Sequence, residues 1–159
     1  MTERYLPSSS FLQALINADE PLISGDDAEV DLLRLISLID DDDPANRDWA
    51  TLLLSQAEID TPEVRAALLH AAEDESQCVR AEAILGLAQR DKALALPKLQ
   101  RELSIPCASL PIFEAAALIA RPSLVGDLSV FAEPSGDSFL DDAALEALRA
   151  CQAAERHGS

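Results

Sequence analysis

The sequence predicts an all-α chain, a right-handed α-solenoid of stacked helical hairpins with about nine helices. Three observations carry that expectation. Residues 43–103 repeat with a period of about 33, and Arg47 and Arg80 are each followed three residues later by a small residue, Ala50 and Ala83. Apolar residues make up 48% of the 159 positions and aromatics only 4%. Ala and Leu dominate that set; both are strong helix formers, and small residues let helices pack closely. The nine prolines sit mostly where helical periods begin, and a Pro at the first helical position loses no hydrogen bond. A lone hairpin of amphipathic helices would leave an apolar face wet, so repeated hairpins must stack to create a core.

Taken in order, residues 1–7 read as a loose leader. Ser8–Ser10 offer an N-cap for a short helix from Phe11 to about Ala18, which the Asp-Glu-Pro turn at 19–21 ends. After Gly25, Asp26 or Asp27 opens a helix through residues 29–39. Its many apolar positions predict a wide buried face, as for a helix sandwiched between neighbours. Asp43-Pro44 and Thr61-Pro62 each pair a capping side chain with Pro at the first helical position, opening helices over 45–56 and 62–72. Ser76 or Gln77 starts the helix to Arg90, and Asp91 caps the next, to about Glu102. Pro97 is expected to kink that helix or to mark where its regular part begins. Ser109 or Leu110, with Pro111, opens a helix to Ala120, and Arg121-Pro122 separates it from one over 123–131. The last helix spans 139–155, with Ser138 as N-cap and Asp141 at the capping-box position. Phe131 and Phe139 are expected to staple it to the rest. Trp49, Ala81, Phe113 and Leu145, 32 apart, set the expected register of four first helices.

A chain of this length fits one domain that buries roughly two-thirds of the surface its unfolded form exposes. The expected organisation is a single domain over 1–159: a leader at 1–7, an N-terminal unit at 8–42, central repeats at 43–132, and a capping helix with tail at 133–159.

The net charge of −17 is uneven. Residues 1–60 hold 14 acids and three bases, Arg4, Arg34 and Arg47, whereas residues 61–159 hold 15 acids and nine bases. Nucleic acid and anionic membrane both need Lys/Arg contacts, so both are excluded as partners. A basic protein surface would be drawn in, with a salt-dependent rate. Solubility alone is the competing explanation of the acids. Cys78, Cys107 and Cys151 are far apart and odd in number, which reads as reduced thiols in a cytoplasmic protein. The N-terminus lacks a signal-peptide core, and the best apolar run, 110–120, is too short to span a bilayer.

The pattern of an Asp-containing turn, then Asn-Arg or Val-Arg, an Ala three after the Arg and a Leu-rich helix occurs in DDDDPANRDWATLLL (40–54) and EDESQCVRAEAILGLA (73–88). It resembles HEAT repeats, most closely the short Ala-rich HEAT-like subgroup of the phycobilisome lyases. DTPEVRAALL (60–69) echoes it at a second-helix position. The resemblance covers residues 27–132 and weakens over 106–132, where Ile112 stands at the Arg position and no Asp turn precedes it. It implies a structural ladder between units, Asp43 with Arg47 and Asp74 or Glu75 with Arg80. It also implies a concave face lined by second helices. Helical spacing then places Asp27, Asp31 and Arg34, then Glu63, Ala66, His70 and Glu73, then Lys92, Lys98 and Arg101 on that face, grading from acidic to basic.

No chemistry-bearing motif competes with this. Asp40–Asp43 lacks the spaced oxygens, mid-loop Gly and terminal Glu of a calcium loop and reads as a solvated acidic turn with one N-cap. His70 and Cys78 lack further ligands at zinc spacing, and Cys78, beside Val79, is expected in the core. Trp49 is expected in core or inter-repeat packing. No phosphate loop or nucleophile elbow occurs. The expected function is a non-enzymatic protein-interaction module without metal or cofactor, of the immunity, antitoxin or adaptor kind, for a partner with a basic patch. The alternative is an enzyme or enzyme accessory resembling the phycobilin lyases. The helix at 139–155 also offers a surface for homodimerisation.

Overall fold

The computed structural model describes residues 6–17, 27–106 and 108–157. These residues form nine α-helices and no strand: α1 (Ser10–Ile16), α2 (Ala28–Leu38), α3 (Pro44–Gln56), α4 (Pro62–Ala71), α5 (Gln77–Arg90), α6 (Lys92–Leu103), α7 (Leu110–Ile119), α8 (Val125–Ser129) and α9 (Ser138–His157). Short 3-10 turns at Pro122–Leu124 and Val130–Ala132 flank α8, so the helix expected over 123–131 is broken into three pieces. The first five residues of the expected leader, the turn at 19–21, Gly25, Asp26, Cys107 and the side chain of His157 lie outside the described residues.

The first helices keep a period of 33: α3, α5 and α7 start at Pro44, Gln77 and Leu110. In that register Ala50, Ala83 and Ala116 coincide, and each is fully buried. A methyl at that point lets neighbouring helices come close. The expected 32-residue register is off by one, since Trp49 and Leu145 are only half-buried. α9 starts 28 residues after α7, so neither period reaches it.

The helix starts follow from local chemistry. The Asp43 carboxylate accepts from Ala45 N–H at 2.9 Å, Thr61 Oγ1 from Val64 N–H at 3.2 Å, and the Asp91 carboxylate from Ala93 and Leu94 N–H at 3.0 and 3.2 Å. Each satisfies donors that the first helical turn leaves without intrahelical partners. α6 runs on through Pro97. Both Pro97 and Ala93, whose carbonyl loses its usual donor there, are exposed, so water can replace the missing bond. α9 is capped one residue earlier than expected. The Asp137 carboxylate accepts from Leu140 N–H at 3.2 Å, and Asp141 reaches back to Ser135 N–H and Oγ–H rather than to the cap. Gly136, at φ +99°, allows that turn.

α7 ends on Ala120 at φ 48°, a left-handed conformation usually given to Gly. Ala120→Gly is therefore expected to stabilise the protein, by up to about 1 kcal/mol. A shift of the urea midpoint to higher concentration at unchanged m would show it; an unchanged or lower midpoint would mean that the position is not strained.

The chain divides into two compact units, residues 1–86 and 87–159. In the first, α3 packs against α1, α2 and α4 around buried Leu35, Ala50, Leu54, Val64 and Leu68. Gly86 closes this unit at bare backbone: a Cβ there would lie 3.0 Å from Ser55 Cβ and 3.2 Å from Leu68 Cδ1. In the second unit α7 packs along α9 and against α6. Phe113, Leu99, Ile112, Ala116, Leu128, Ala147 and Cys151 form its core. Phe131 meets Phe113 edge-on, with ring centroids 5.3 Å apart.

Three expectations about burial are corrected. α2 is not sandwiched: Leu35 is fully buried, but Val30 and Leu33 are 63% and 57% exposed. Phe139 does not staple α9; it is 83% exposed, because the buried row of α9 runs through Ala144, Ala147 and Cys151 and Phe139 lies well off that row. Cys78 is exposed, one helical step, about 100°, from buried Val79. Among the described residues the thiol in the core is that of Cys151, which lies 3.7 Å from the Ala116 carbonyl and whose pKa burial pushes up.

Candidate partner-binding groove

The Asp40–Asp43 turn is occupied by structural bonds. Asp41 accepts from Asp43 N–H at 3.1 Å and from the Asn46 amide at 2.8 Å. Asp74, 33 residues on, makes the equivalent bond to Ser76 N–H at 2.8 Å. The arginines repeat at the same offsets. Arg47 donates to the carbonyls of Asp41 and Asp42 at 3.0 and 3.4 Å, and Arg80 to those of Asp74 and Glu75 at 3.0 and 3.1 Å. Arg47 also meets the carboxylate of the following turn, Nε to Asp74 at 3.1 Å, with Glu75 at 3.6 Å. Of the four residues assigned to the ladder, Asp43 stands apart: its carboxylate takes the α3 cap and the Ser8 hydroxyl, at 2.7 Å. Register decides this, since Asp41, not Asp43, is the counterpart of Asp74.

Hydrogen bonds from Ser8 and Ala45 hold the Asp43 carboxyl below its ordinary 3.8, against partial desolvation and with help from the charge of Arg47. A folded pKa below the unfolded one adds stability that is present at neutral pH and lost as pH falls through the folded value. Asp43→Asn keeps a capping side chain without the charge. It is expected to be less stable than the parent at pH 7 and to close that gap at about pH 2. Urea midpoints at the two pH values measure it; a gap of equal size at both would refute the assignment.

Asn46 is a structural residue that sequence reasoning missed. It is 6% exposed, accepts from Ser9 N–H at 3.0 Å and donates to Ser8 Oγ at 3.1 Å. The signal was there: the 33-residue counterparts of Asn46 are Val79 and Ile112, both buried, and a polar residue at a buried position needs partners.

The residues assigned to a binding face belong to α2, α4 and α6 and their ends. Asp27, at the start of α2, makes no side-chain cap bond, and Asp31 is half-buried. The Arg34 guanidinium stacks 4.7 Å from the Phe11 ring centre. Glu63 and Glu73 are exposed, at the start of α4 and just after its end. His70 Nε2 lies 2.5 Å from Asp40 Oδ1, tying the end of α4 to the turn after α2. Lys92, Lys98 and Arg101 are on α6 and belong to the second unit.

What the first unit does assemble is an apolar groove of about 470 Å³. Ala28, Leu32 and Ile36, at helical spacing on α2, form one wall; Ile59 and Thr61 form the other; Leu33, Glu29 and Glu63 complete the rim. Asp27, Glu29, Asp31, Glu58 and Glu63 have no ion-pair partner among the described residues. Arg65, near the second wall, is folded onto Asp60 at 2.7 and 2.8 Å. The groove is thus apolar at its floor and acidic at its lip. Among the described residues no group of three or more His, Cys, Asp or Glu could hold a metal ion, and no helix is long and apolar enough to cross a membrane.

Residues 32–110 match the HEAT-repeat family. The chain is a HEAT-repeat protein. The X-ray structure of YibA from Escherichia coli is similar, with a TM-score of 0.60 and 22% identity over 87% of this chain and 54% of that one. At that identity the likeness concerns the fold, and the chain spans about half the length of YibA. No curated protein matches the sequence significantly. HEAT repeats belong to helical scaffolds that often serve protein interaction, and in this HEAT chain Arg47 holds two successive turns together.

Proposed function

We propose that this HEAT-repeat chain is a protein-binding module whose acidic N-terminal half engages a partner with a basic patch, in the manner of an immunity, antitoxin or adaptor protein. The observation that carries the reading is the charge distribution. Of the formal −17, the larger part falls in residues 1–60, and the two carboxylates that line the groove, Glu29 and Glu63, have no ion-pair partner among the described residues. Like charges gathered on one side repel one another, and a cationic partner relieves that repulsion on binding. The same field disfavours DNA, RNA and anionic lipid.

Affinity purification from the native source at low and high salt, followed by reconstitution with the purified partner, tests the proposal. The expected result is a basic protein whose dissociation constant rises at least about tenfold between low and moderate salt, chiefly through a slower on-rate. Recovery of no specific protein, or of a partner whose affinity is indifferent to salt, would reject it.

A further inference from the structure

We infer that the groove between α2 and the start of α4 seats an amphipathic segment of the partner, with apolar side chains against Leu33 and Ile59 and Lys or Arg heads against Glu29 and Glu63. The inference rests on the basic-partner reading and adds to it a place and a shape.

The groove is of the size that buries several side chains, about 470 Å³, within the ordinary range of binding pockets. Leu33, which lines the groove, stands more than half exposed. Large apolar side chains beside an open groove are the kind of surface a docked segment covers. Charge then selects the occupant. Glu29 and Glu63 line the groove itself, and Asp27, Asp31 and Glu58 lie on the same elements. The arginines nearest in sequence are already engaged, Arg34 on Phe11 and Arg65 on Asp60. A second copy of this chain would bring the same acidic lip against itself in a two-fold contact, and an acidic segment would meet the same repulsion. An apolar segment with basic flanks satisfies both floor and lip, in the way an amphipathic helix lies in a groove.

Three synthetic peptides of equal length test the inference on the full-length protein by fluorescence anisotropy. One carries Leu at i, i+3 and i+4 spacing with Lys on the flanks, one replaces each Leu by Ser, and one replaces each Lys by Glu. The Leu/Lys peptide is expected to bind most tightly and to lose at least about tenfold with Leu33→Asp, the scale of an interface anchor. Val30→Asp, on the same helix but outside the lining of the groove, is the control and is expected to bind within about threefold of the parent; both side chains are exposed in the parent, and an unchanged urea midpoint will show that each variant is folded. Glu29→Lys with Glu63→Lys is expected to weaken binding to a similar degree, while the equal charge change Asp142→Lys with Glu146→Lys on α9 leaves it within about threefold. If the Ser/Lys peptide binds as well as Leu/Lys, if Leu33→Asp binds normally, or if Val30→Asp weakens binding as much as Leu33→Asp does, the groove is the wrong place and the basic-partner reading stands. Binding of the Leu/Glu peptide as tight as that of Leu/Lys would overturn the choice of a basic segment. If neither lysine peptide binds at low salt, the groove and the basic-partner reading fall together.

Discussion

Phe113→Ala is expected to cost about 3–5 kcal/mol, the range for emptying a buried aromatic position. Phe113 is 1% exposed, lies on α7 against which α6 and α9 pack, and meets Phe131 edge-on at 5.3 Å. Truncation removes the apolar burial and leaves a cavity that the flanking helices can only partly close. Against a total stability of about 5–15 kcal/mol, that is a large share, and a melting midpoint lowered by about 10 °C is the readout. Phe131→Ala, at a half-buried position, should cost less, about 1–2 kcal/mol. The pair should couple by about 0.5–1.5 kcal/mol in a double-mutant cycle. The more discriminating variant is Phe113→Arg. Phe113 is the 33-residue counterpart of Arg47 and Arg80, and an arginine there would restore the repeat pattern in name. The counterpart of Asp41 and Asp74 in this unit is Cys107, so the repeat offers no carboxylate. A buried guanidinium without a counter-ion is strongly unfavourable. Phe113→Arg should therefore be at least as damaging as Phe113→Ala; an arginine that is tolerated there would show that the third unit follows the same scheme as the first two.

The all-helical class was legible because several signals agreed. Ala/Leu composition, Pro at helix starts, and the Arg-x-x-Ala pairs at 47–50 and 80–83 each pointed to the same hairpins. The register was harder. In a chain this rich in Ala and Leu, a 32-residue spacing finds an apolar residue at Trp49, Ala81, Phe113 and Leu145 as readily as the true spacing finds Ala50, Ala83 and Ala116. That one-residue error also placed Ile112, rather than Phe113, at the arginine position. Polar positions fix the register better. Aligning Arg47 with Arg80 puts Asp41 on Asp74, and the matched carbonyl contacts follow. Within a run of four aspartates the capping rule singles out Asp43, whereas the inter-turn pairing is settled by period.

The groove was only half legible. Asp27, Asp31 and Glu63 are visible as acids at helix starts. Leu33 falls in the run over 29–39 that reads as a wide buried face, because nothing local distinguishes an apolar residue that a neighbour covers from one that no neighbour reaches. The same limit explains Phe139 and Cys78: one helical step of about 100° separates a buried from an exposed position, and composition does not fix that phase.

The position where period, geometry and charge converge is Arg47. Its side chain is 12% exposed, and so is that of Asp74. One guanidinium nitrogen closes the carbonyl ends of the preceding turn, and another meets the carboxylate of the next. Arg47→Ala is therefore expected to cost about 2–4 kcal/mol, because it strands a partly buried carboxylate and leaves the carbonyl of Asp41 without this donor. Arg47→Lys should recover only part of the loss, about half, since a single ammonium cannot span the carbonyls and Asp74 together. Asp74→Asn keeps an acceptor and should cost about 1 kcal/mol. Glu75→Ala removes only an exposed contact, the Glu75 side chain being 90% accessible, and should stay within about 0.5 kcal/mol. Urea unfolding of the single variants and of Arg47→Ala/Asp74→Ala supplies the coupling energy, expected to exceed about 1 kcal/mol. If Arg47→Lys unfolds at the midpoint of the parent, or the coupling is near zero, Arg47 packs by its methylene stem and the bridge between turns contributes nothing. A positive coupling would identify the residue that sets one repeat against the next, and Arg80→Ala, with the same contacts to Asp74 and Glu75 carbonyls, should then shift stability in the same direction.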